Sequence, residues 1–598
     1  MPTYSAPIRD TRFILEKLLK IEQYTNLPGF AEASPDIVAA VLEEGAKYVE
    51  EVSHPLNQVG DETGCVRNAD GSVTTPPGFK EAYDKLVEGG WVGLGCNPAY
   101  GGQGLPHVIA SAFEEYMISA NMAFTMYMGL TIGAVAAIEA VANEEQKQTY
   151  LPKMIEGRWS GTMNLTEPHC GTDLGLLTTR AEPQADGTFK ITGTKIFISS
   201  GEHDLTENII HLVLAKMPDS PDSVRGISLF IVPKFILDAN GEPGEKNAVS
   251  CGSLEEKMGI HGNSTCVMNY DGATGYLIGE AEKGLRAMFI MMNIARLGVG
   301  MQGLSISELA YQNAAEYAQQ RIQGRSLSGP KNSEGKADPI IVHADVRRML
   351  LNIKAFNEGA RALALWTALQ VDLSHVAESS EVRQAADDIV GLMTPLIKAY
   401  FTDQGFENAT NAQQCLGGHG YIREWGLEQC VRDARIAMIY EGTNGIQALD
   451  LVGRKLALNG GRAYRAYISM LTAFIEELTD PSMASYKEGL TRASADLNAA
   501  TQWLAKNGIS NPDNAGAGAV PYLKLFALVA MGHMWAKIAV TAQQCLSQDD
   551  GDKDFYRNKL ITAEYFYSHI MIETGMLKQR VEAGAENLMA LNNEAFVS

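Results

Sequence analysis

Paired cysteines are missing from this 598-residue chain. Its eight cysteines, Cys65, Cys96, Cys170, Cys251, Cys266, Cys415, Cys430 and Cys545, form no CxxC pair, and its histidines make no cluster at metal-ligand spacing. A disulfide framework and a zinc scaffold are thereby excluded as organising devices; the expectation is reduced, mostly structural thiols and no metal. Positive charge is also scarce: 49 Lys and Arg face 71 Asp and Glu, a net charge of -22. Such a surface repels phosphate backbones and anionic headgroups, which argues against nucleic-acid and membrane partners. It leaves room for a small anionic ligand in a locally basic pocket. The N-terminus, MPTYSAPIRDTRF, has no apolar core of a signal peptide. The longest apolar stretch near the front, Gly129 to Val141, reads as too short to span a bilayer. A soluble, cytoplasmic protein is expected, without internal repeats or low-complexity tracts.

The length exceeds what one hydrophobic core serves, so two to four domains are expected. From Arg12 to about Gly157 the apolar residues recur three and four apart, as in IVAAVLEEGAKYVEEV after Ser34 and Asp36, either of which can cap the helix. The period then changes. Phe189 to Ile198 alternates apolar and polar residues, and Ile209 to Ala215 and Ile227 to Val232 do so more loosely, with a turn signal at Asp186–Gly187. A block of short strands from about Gly161 to Gly279 reads as a barrel or sandwich. Helical spacing returns from Leu285, with stripes through Ile306, Leu309, Ala310, Asn313, Ala314, Tyr317 and Arg321, and through Val346, Met349, Leu350, Ile353 and Phe356. Beyond Gly460–Gly461 further helices follow, broken by an expected loop from Asn507 to Pro521. The fold class is α+β: an N-terminal helical domain with an extension (1–160), a middle β domain (161–282), a C-terminal helical bundle (283–460) and an additional helical domain (461–598). The order is not the βαβ alternation of a dinucleotide-binding sheet. Gly298–Val–Gly–Met–Gln–Gly303 fits G-x-G-x-x-G but interrupts a helical pattern, so close helix packing is the better reading.

Three segments carry chemistry. Asn164–Leu–Thr–Glu–Pro–His–Cys–Gly–Thr–Asp173 is rich in hydroxyls and turn formers, able to hold a polar ring edge or a phosphate, or to serve as a plain turn. Lys195–Ile–Phe–Ile–Ser–Ser–Gly201 sets an aromatic beside hydroxyls at a strand end, suited to a flat cofactor. Gln414–Cys–Leu–Gly–Gly–His–Gly–Tyr421, Arg432–Asp–Ala–Arg435 and Ile439–Tyr–Glu–Gly–Thr–Asn–Gly–Ile–Gln447 come last. There a carboxylate, Glu441, stands between Tyr440 and Gly442. The glycine permits close approach of a ligand, and the apolar flank Ala437–Met438–Ile439 suggests a partly buried acid or base.

Together these segments resemble the acyl-CoA dehydrogenase family: TEPxxG(S/T)D, LGGxGY and RDxR…IYEGTxxIQ occur in family order and spacing, over about Phe30 to Leu458. The tail and the N-terminal stretch are similar to the larger subgroup that includes 3-methylmercaptopropionyl-CoA dehydrogenases. The resemblance implies FAD-dependent α,β-dehydrogenation of an acyl-CoA, with a thioether or a short-to-medium straight chain as acyl group and Glu441 as base. The route would belong to dimethylsulfoniopropionate catabolism or fatty-acid β-oxidation. Some relatives carry the base just before the arginine that matches Arg296; here Ile294 and Ala295 stand there. Arg296 matches a residue that braces the catalytic loop, with a surface arginine as the plain alternative. Leu165 and Thr166 match contacts to the flavin ring edge, and Gly171 and Thr172 the turn near the pyrophosphate. Phe197 takes the place of a Trp against the flavin, Ser199 that of a Thr. Arg321, Gln414 and Gly418 match contacts to the FAD of a neighbouring subunit, and Thr443 is also placed at the cofactor. Thr172, Asn293, Arg296, Tyr440 and Gly442 are placed at the substrate. Gly324, where the family often has Phe, and Gly445, where Gln is common, depart from the pattern at the adenosine end.

The implied partners are an electron-transferring flavoprotein and a second copy, as a homodimer or a tetramer. An acyl-CoA oxidase or a non-catalytic flavin scaffold would share the motifs. The tail from Arg465 holds 11 basic and 15 acidic side chains, unlike a DNA-binding tail, and its expected role is packing over the subunit. Met122, Met126, Met128, Met288, Met291 and Met292 either line an acyl pocket or fill the core.

Overall fold

The change of period is visible in the element order of the computed structural model, which describes residues 2–548 and 551–597. Helices occupy the chain to Glu156, strands run from Trp159 to Ile278, and helices resume at Gly284. A hairpin of two-residue strands, Val66–Arg67 with Val73–Thr74, interrupts the first helical stretch, where the sequence pattern reads as helical and is broken only by the loop Pro98 to Gly104. Compactness divides the chain into two units: Ala40–Gly298, and a second in which the segment up to Ala39 joins the chain from Val299 onward.

In the Ala40–Gly298 unit the strands β1 (Trp159–Asn164), β2 (Arg180–Pro183), β3 (Phe189–Ser199), β4 (Asn208–Lys216), β5 (Ile227–Pro233), β6 (Val249–Leu254) and β7 (Thr265–Ile278) form one sheet. Its pairings close on themselves: β7 with β3, β3 with β2, β2 with β4, β4 with β5, and β5 back to β7. That circuit makes a barrel, which leaves these strands no free edge. β4 and β5 are buried at every position, so they read as continuous apolar runs rather than alternations. Helix α1 (His107–Val141) packs against β1. Gly129 to Val141, expected to be too short to span a bilayer, is only the end of this 35-residue helix. By length and composition α1 is apolar enough to cross a membrane, as are Gly284–Gln320 and Pro512–Ser547. Asn121 interrupts α1: it leaves helical geometry (φ -162) and its Oδ1 accepts the N–H of Phe124, recapping the helix after a kink.

In the second unit, helices α2 (Gly284–Gln320, from Val299), α3 (Ala344–Val376) and α4 (Ser380–Cys415) build the bundle. The Gly298–Gly303 motif lies inside α2. A Cβ at Gly300 would stand 2.4 Å from Ile397, and one at Gly303 2.2 Å from the Phe401 carbonyl. The glycines therefore let α2 and α4 approach closely, as expected. The tail helices α7 (Ala484–Ser510), α8 (Pro512–Ser547) and α9 (Lys553–Tyr565) belong to this unit, and α8 and α9 pack on the bundle. Trp535 of α8 donates Nε1–H to the Ala355 carbonyl at 3.0 Å, in space that any side chain at Gly359 would fill. The loop expected over Asn507 to Pro521 is instead a single break at Asn511, with Pro521 inside α8. Pro521 is the tenth residue of the helix and has no N–H to give to the Ala517 carbonyl, a loss that the packing of α8 offsets.

A balanced cluster of buried charge joins the N-terminal segment, the bundle and the tail. Arg361 donates to Asp10 at 2.5 Å and to Glu308 at 3.0 Å; Lys559 pairs with Asp10 and, at 2.9 Å, with Glu358; Lys354 pairs with Glu358. Burial works to raise the Asp10 pKa, but the Lys559 ammonium and the Arg361 guanidinium outweigh it and hold the carboxyl at about 2. A carboxyl depressed below its ordinary 3.8 stabilises the fold above that pH and ceases to do so as pH falls toward 2. Asp10→Asn should take one carboxylate partner from Arg361 and one from Lys559, leave the cluster with a positive charge in excess, and lower unfolding stability by about 3 kcal/mol at neutral pH. The deficit, read from urea midpoints, should shrink between about pH 4 and 2; a deficit independent of pH in that window would contradict the charge account.

Candidate active site

The candidate residues fall into two groups, one in each compact unit. The first group centres on the loop between β1 and β2. Glu167 is buried, and its carboxylate accepts five hydrogen bonds: from Thr178 N–H (2.7 Å) and Oγ1 (2.8 Å), from Thr179 N–H (3.1 Å) and Oγ1 (2.6 Å), and from Lys195 Nζ (2.8 Å). Burial pushes its pKa up, but the Lys195 charge and the Thr donors hold it at about 2. Lys195, 0% exposed, also donates to the Leu165 carbonyl at 3.0 Å. Next to it, Ile196 N–H donates to the Thr166 carbonyl at 2.9 Å. Three successive residues, Leu165 to Glu167, are thus tied to one lysine-bearing strand.

That strand then bulges. β3 and β7 pair at Ile198 with Cys266 and at Lys195 with Met268, so Ile196 and Phe197 together face the single residue Val267. Phe197 has φ 58, in the left-handed region, and is 59% exposed. A bulge of this kind re-aims a side chain, and here it turns a large apolar ring to solvent at a strained backbone position. Ser199 follows, half-buried, while Gly171 and Thr172 are exposed on the loop. Behind the loop, Tyr270 O–H donates to Asn164 Oδ1 at 2.8 Å, and Asn164 Nδ2 donates to Thr162 Oγ1 at 2.9 Å. Glu167, His169 and Cys170 lie close enough to share an ion, but the carboxylate is already taken by its five donors. Arg296 is buried beside the Phe289 ring, which overturns the surface-arginine alternative, and Asn293 on the same helix is exposed.

The second group centres on the turn between α5 (Leu427–Ala437) and α6 (Asn444–Asp450). Glu441 is half-buried with φ 59, and Gly442 follows with φ 84. Gln447 Nε2 donates to the Glu441 carbonyl at 3.1 Å. Lys398 Nζ donates to the Gly442 carbonyl at 2.7 Å and to Asn444 Oδ1 at 2.8 Å. Tyr440 O–H donates to Gln302, and burial pushes its pKa up. Thr443 is exposed and caps α6, its Oγ1 accepting the Ile446 N–H at 3.4 Å. Arg321 lies just past α2, exposed, and Gln414 and Gly418 are exposed at and beyond the end of α4. His419 stacks on Trp425 at 4.6 Å and meets the Tyr317 hydroxyl at 3.0 Å. Gly324 has φ 72, a conformation that explains a glycine there in place of Phe.

Sequence reasoning missed Lys398, Asn444, Gln447 and Gln302, and assigned no role to Glu167 or Lys195. The available signal was a lysine inside an apolar helical run, Pro395–Leu–Ile–Lys–Ala–Tyr–Phe401.

Over 98% of its length the chain is 43% identical to the 3-methylmercaptopropionyl-CoA dehydrogenase of Ruegeria pomeroyi, covering 99% of that protein. The chain belongs to the acyl-CoA dehydrogenase family. The family's N-terminal, middle and C-terminal domain profiles match residues 65–158, 162–273 and 282–456. A profile described as acetyl-CoA dehydrogenase C-terminal like matches 467–592. A butyryl-CoA dehydrogenase of Syntrophomonas wolfei is 34% identical over 99% of both chains. The solved structure of an acyl-CoA dehydrogenase complexed with FAD from Bacillus anthracis shares the fold, with TM-score 0.74 and 22% identity over 94% of this chain and 90% of that one. This acyl-CoA dehydrogenase is accordingly an oxidoreductase of the CH–CH bond of an acyl-CoA.

Lys195→Met in this dehydrogenase should leave the Glu167 carboxylate buried without its cation and lower unfolding stability by about 3 kcal/mol. Adding Glu167→Gln should recover part of that loss, because both charges are then gone. Urea unfolding of the two single variants and the double variant tests the coupling; strictly additive losses would refute it.

Proposed function

We propose that this dehydrogenase oxidises 3-methylmercaptopropionyl-CoA, or a short straight acyl-CoA, with Glu441 as the base and FAD as cofactor. The observation that carries the assignment of the base is the backbone at Glu441: a glutamate in the left-handed region, half-buried and held through the carbonyls around it. Strain of this kind persists where the surroundings enforce it, and it concentrates at functional sites.

The residues present fit FAD. The exposed Phe197 ring suits an aromatic face, the Leu165–Thr166 backbone is pinned by the same strand, and Gly171 and Thr172 leave an open turn. When bound, FAD supplies a two-electron acceptor, flavin N5, for the hydride that leaves the β-carbon. Glu441 takes the α-proton. Its own backbone N–H donates to the thioester carbonyl and so stabilises enolate charge, the oxyanion-hole effect. Arg296 is assigned to bracing the catalytic loop, and Thr172, Asn293, Tyr440 and Gly442 to the substrate.

The thioether substrate is supported by the identity to the Ruegeria enzyme, and the short chain by the butyryl-CoA relative. Met288 and Met291 are both fully buried in the apolar core, so core filling accounts for these two. A cytoplasmic homodimer that passes its electrons to an electron-transferring flavoprotein completes the reading. The dimer is supported by the exposure of Arg321, Gln414 and Gly418, the positions assigned to a neighbour's FAD.

Glu441→Gln should retain yellow FAD and lose turnover by about three orders of magnitude; retained turnover would remove Glu441 as base. Assayed side by side, 3-methylmercaptopropionyl-CoA should exceed butyryl-CoA in kcat/KM by roughly tenfold. Equal values would remove the thioether preference and leave a short-chain enzyme.

A further inference from the structure

Lys398 sits on α4 with 0% of its surface exposed. A lysine is almost never buried this completely without polar partners to meet its charge. Here its Nζ donates to the Gly442 carbonyl at 2.7 Å and to Asn444 Oδ1 at 2.8 Å. These acceptors stand on either side of Thr443, directly after Glu441. The chain of contacts continues outward: Asn444 Nδ2 donates to Asp403 Oδ1 at 2.6 Å and to Thr402 Oγ1 at 2.9 Å, and Thr402 Oγ1 donates back to the Lys398 carbonyl at 2.7 Å. One turn of α4 thus grips the start of α6.

Glu441 has φ 59, in the left-handed region that strains a residue with a Cβ. Gln447 Nε2 reaches the Glu441 carbonyl at 3.1 Å and the Gly442 carbonyl at 3.4 Å, the latter a long contact. The short, charge-assisted bond to the Gly442 carbonyl comes from Lys398. Without it that peptide gains freedom to rotate, and the strained residue before it can relax.

We propose that Lys398 is a positioning residue for the base: it holds the Gly442 carbonyl and the Asn444 amide, and so fixes the turn that presents Glu441. The proposal rests on Glu441 being the base. It differs from a merely structural role for a buried lysine, because misplacing a reacting group by about 1 Å costs roughly 10²-fold in rate while binding survives.

The test uses the full-length, flavin-loaded enzyme. Lys398→Met should lower kcat per bound flavin by about 10²-fold and leave KM within about threefold. Lys398→Gln, which keeps a donor, should recover part of that loss. Asn444→Ala, which removes one partner of the ammonium, should show the same selective fall in kcat and serves if Lys398→Met does not fold. A kcat per bound flavin within about twofold of the parent in Lys398→Met, or in Asn444→Ala where the lysine variant does not fold, would overturn the proposal. So would an equal rise in KM. Glu441→Gln, run in parallel, separates the two claims: turnover retained there removes the base itself, whereas turnover lost there with Lys398→Met unaffected removes only the positioning role.

Discussion

Strained backbone must be held from outside, and both groups of candidate residues are organised around that constraint. Phe197 in the first group and Glu441 in the second occupy left-handed backbone space. Each lies beside a loop whose carbonyl is gripped by a fully buried lysine: Lys195 on the Leu165 carbonyl, and Lys398 on the Gly442 carbonyl. A lysine in apolar surroundings forms short bonds with little competition from water, which strengthens its grip on a carbonyl dipole. The buried cation has a cost, met at Lys195 by Glu167 and at Lys398 by the amide of Asn444, which leads on to Asp403.

The same logic of answering buried charge operates away from these residues. Asp10, Glu308, Glu358, Lys354, Arg361 and Lys559 form a cluster with three charges of each sign, drawn from the N-terminal segment, the bundle and the tail. Replacing one member upsets the charge balance of the cluster, so the segments at both ends of the chain are coupled to the bundle energetically as well as by packing. Trp535 on Ala355 and Gly359 adds an apolar anchor to that coupling. The tail is thus an integral part of the second compact unit.

Legibility in the sequence followed the range of the interactions. The strands from Phe189, Ile209 and Ile227 were readable because alternation or apolar runs reflect immediate neighbours. The glycines of Gly298–Gly303 were correctly set aside as a nucleotide motif because their surroundings are helical. The helix through Pro521 was not readable: proline is a local breaker, and its tolerance depends on the packing of α8 against the bundle. The kink at Asn121 was missed for the converse reason, since an asparagine that recaps a helix leaves the apolar spacing intact.

Local pattern by itself determined the α, β, α order, and the motif residues marked Glu441 and Phe197 as candidates, because covalent neighbours and residue chemistry suffice for both. Which groups hold those residues in place was decided only by tertiary structure. Lys398 stands 44 positions from Gly442, and Lys195 28 from Glu167; such pairs meet only when helices and strands have packed. The closure of the barrel and the pairing of Asp10 with Lys559, 549 positions away, belong to the same class. A buried charge chooses its partner by proximity in space, and no local spacing rule encodes that choice.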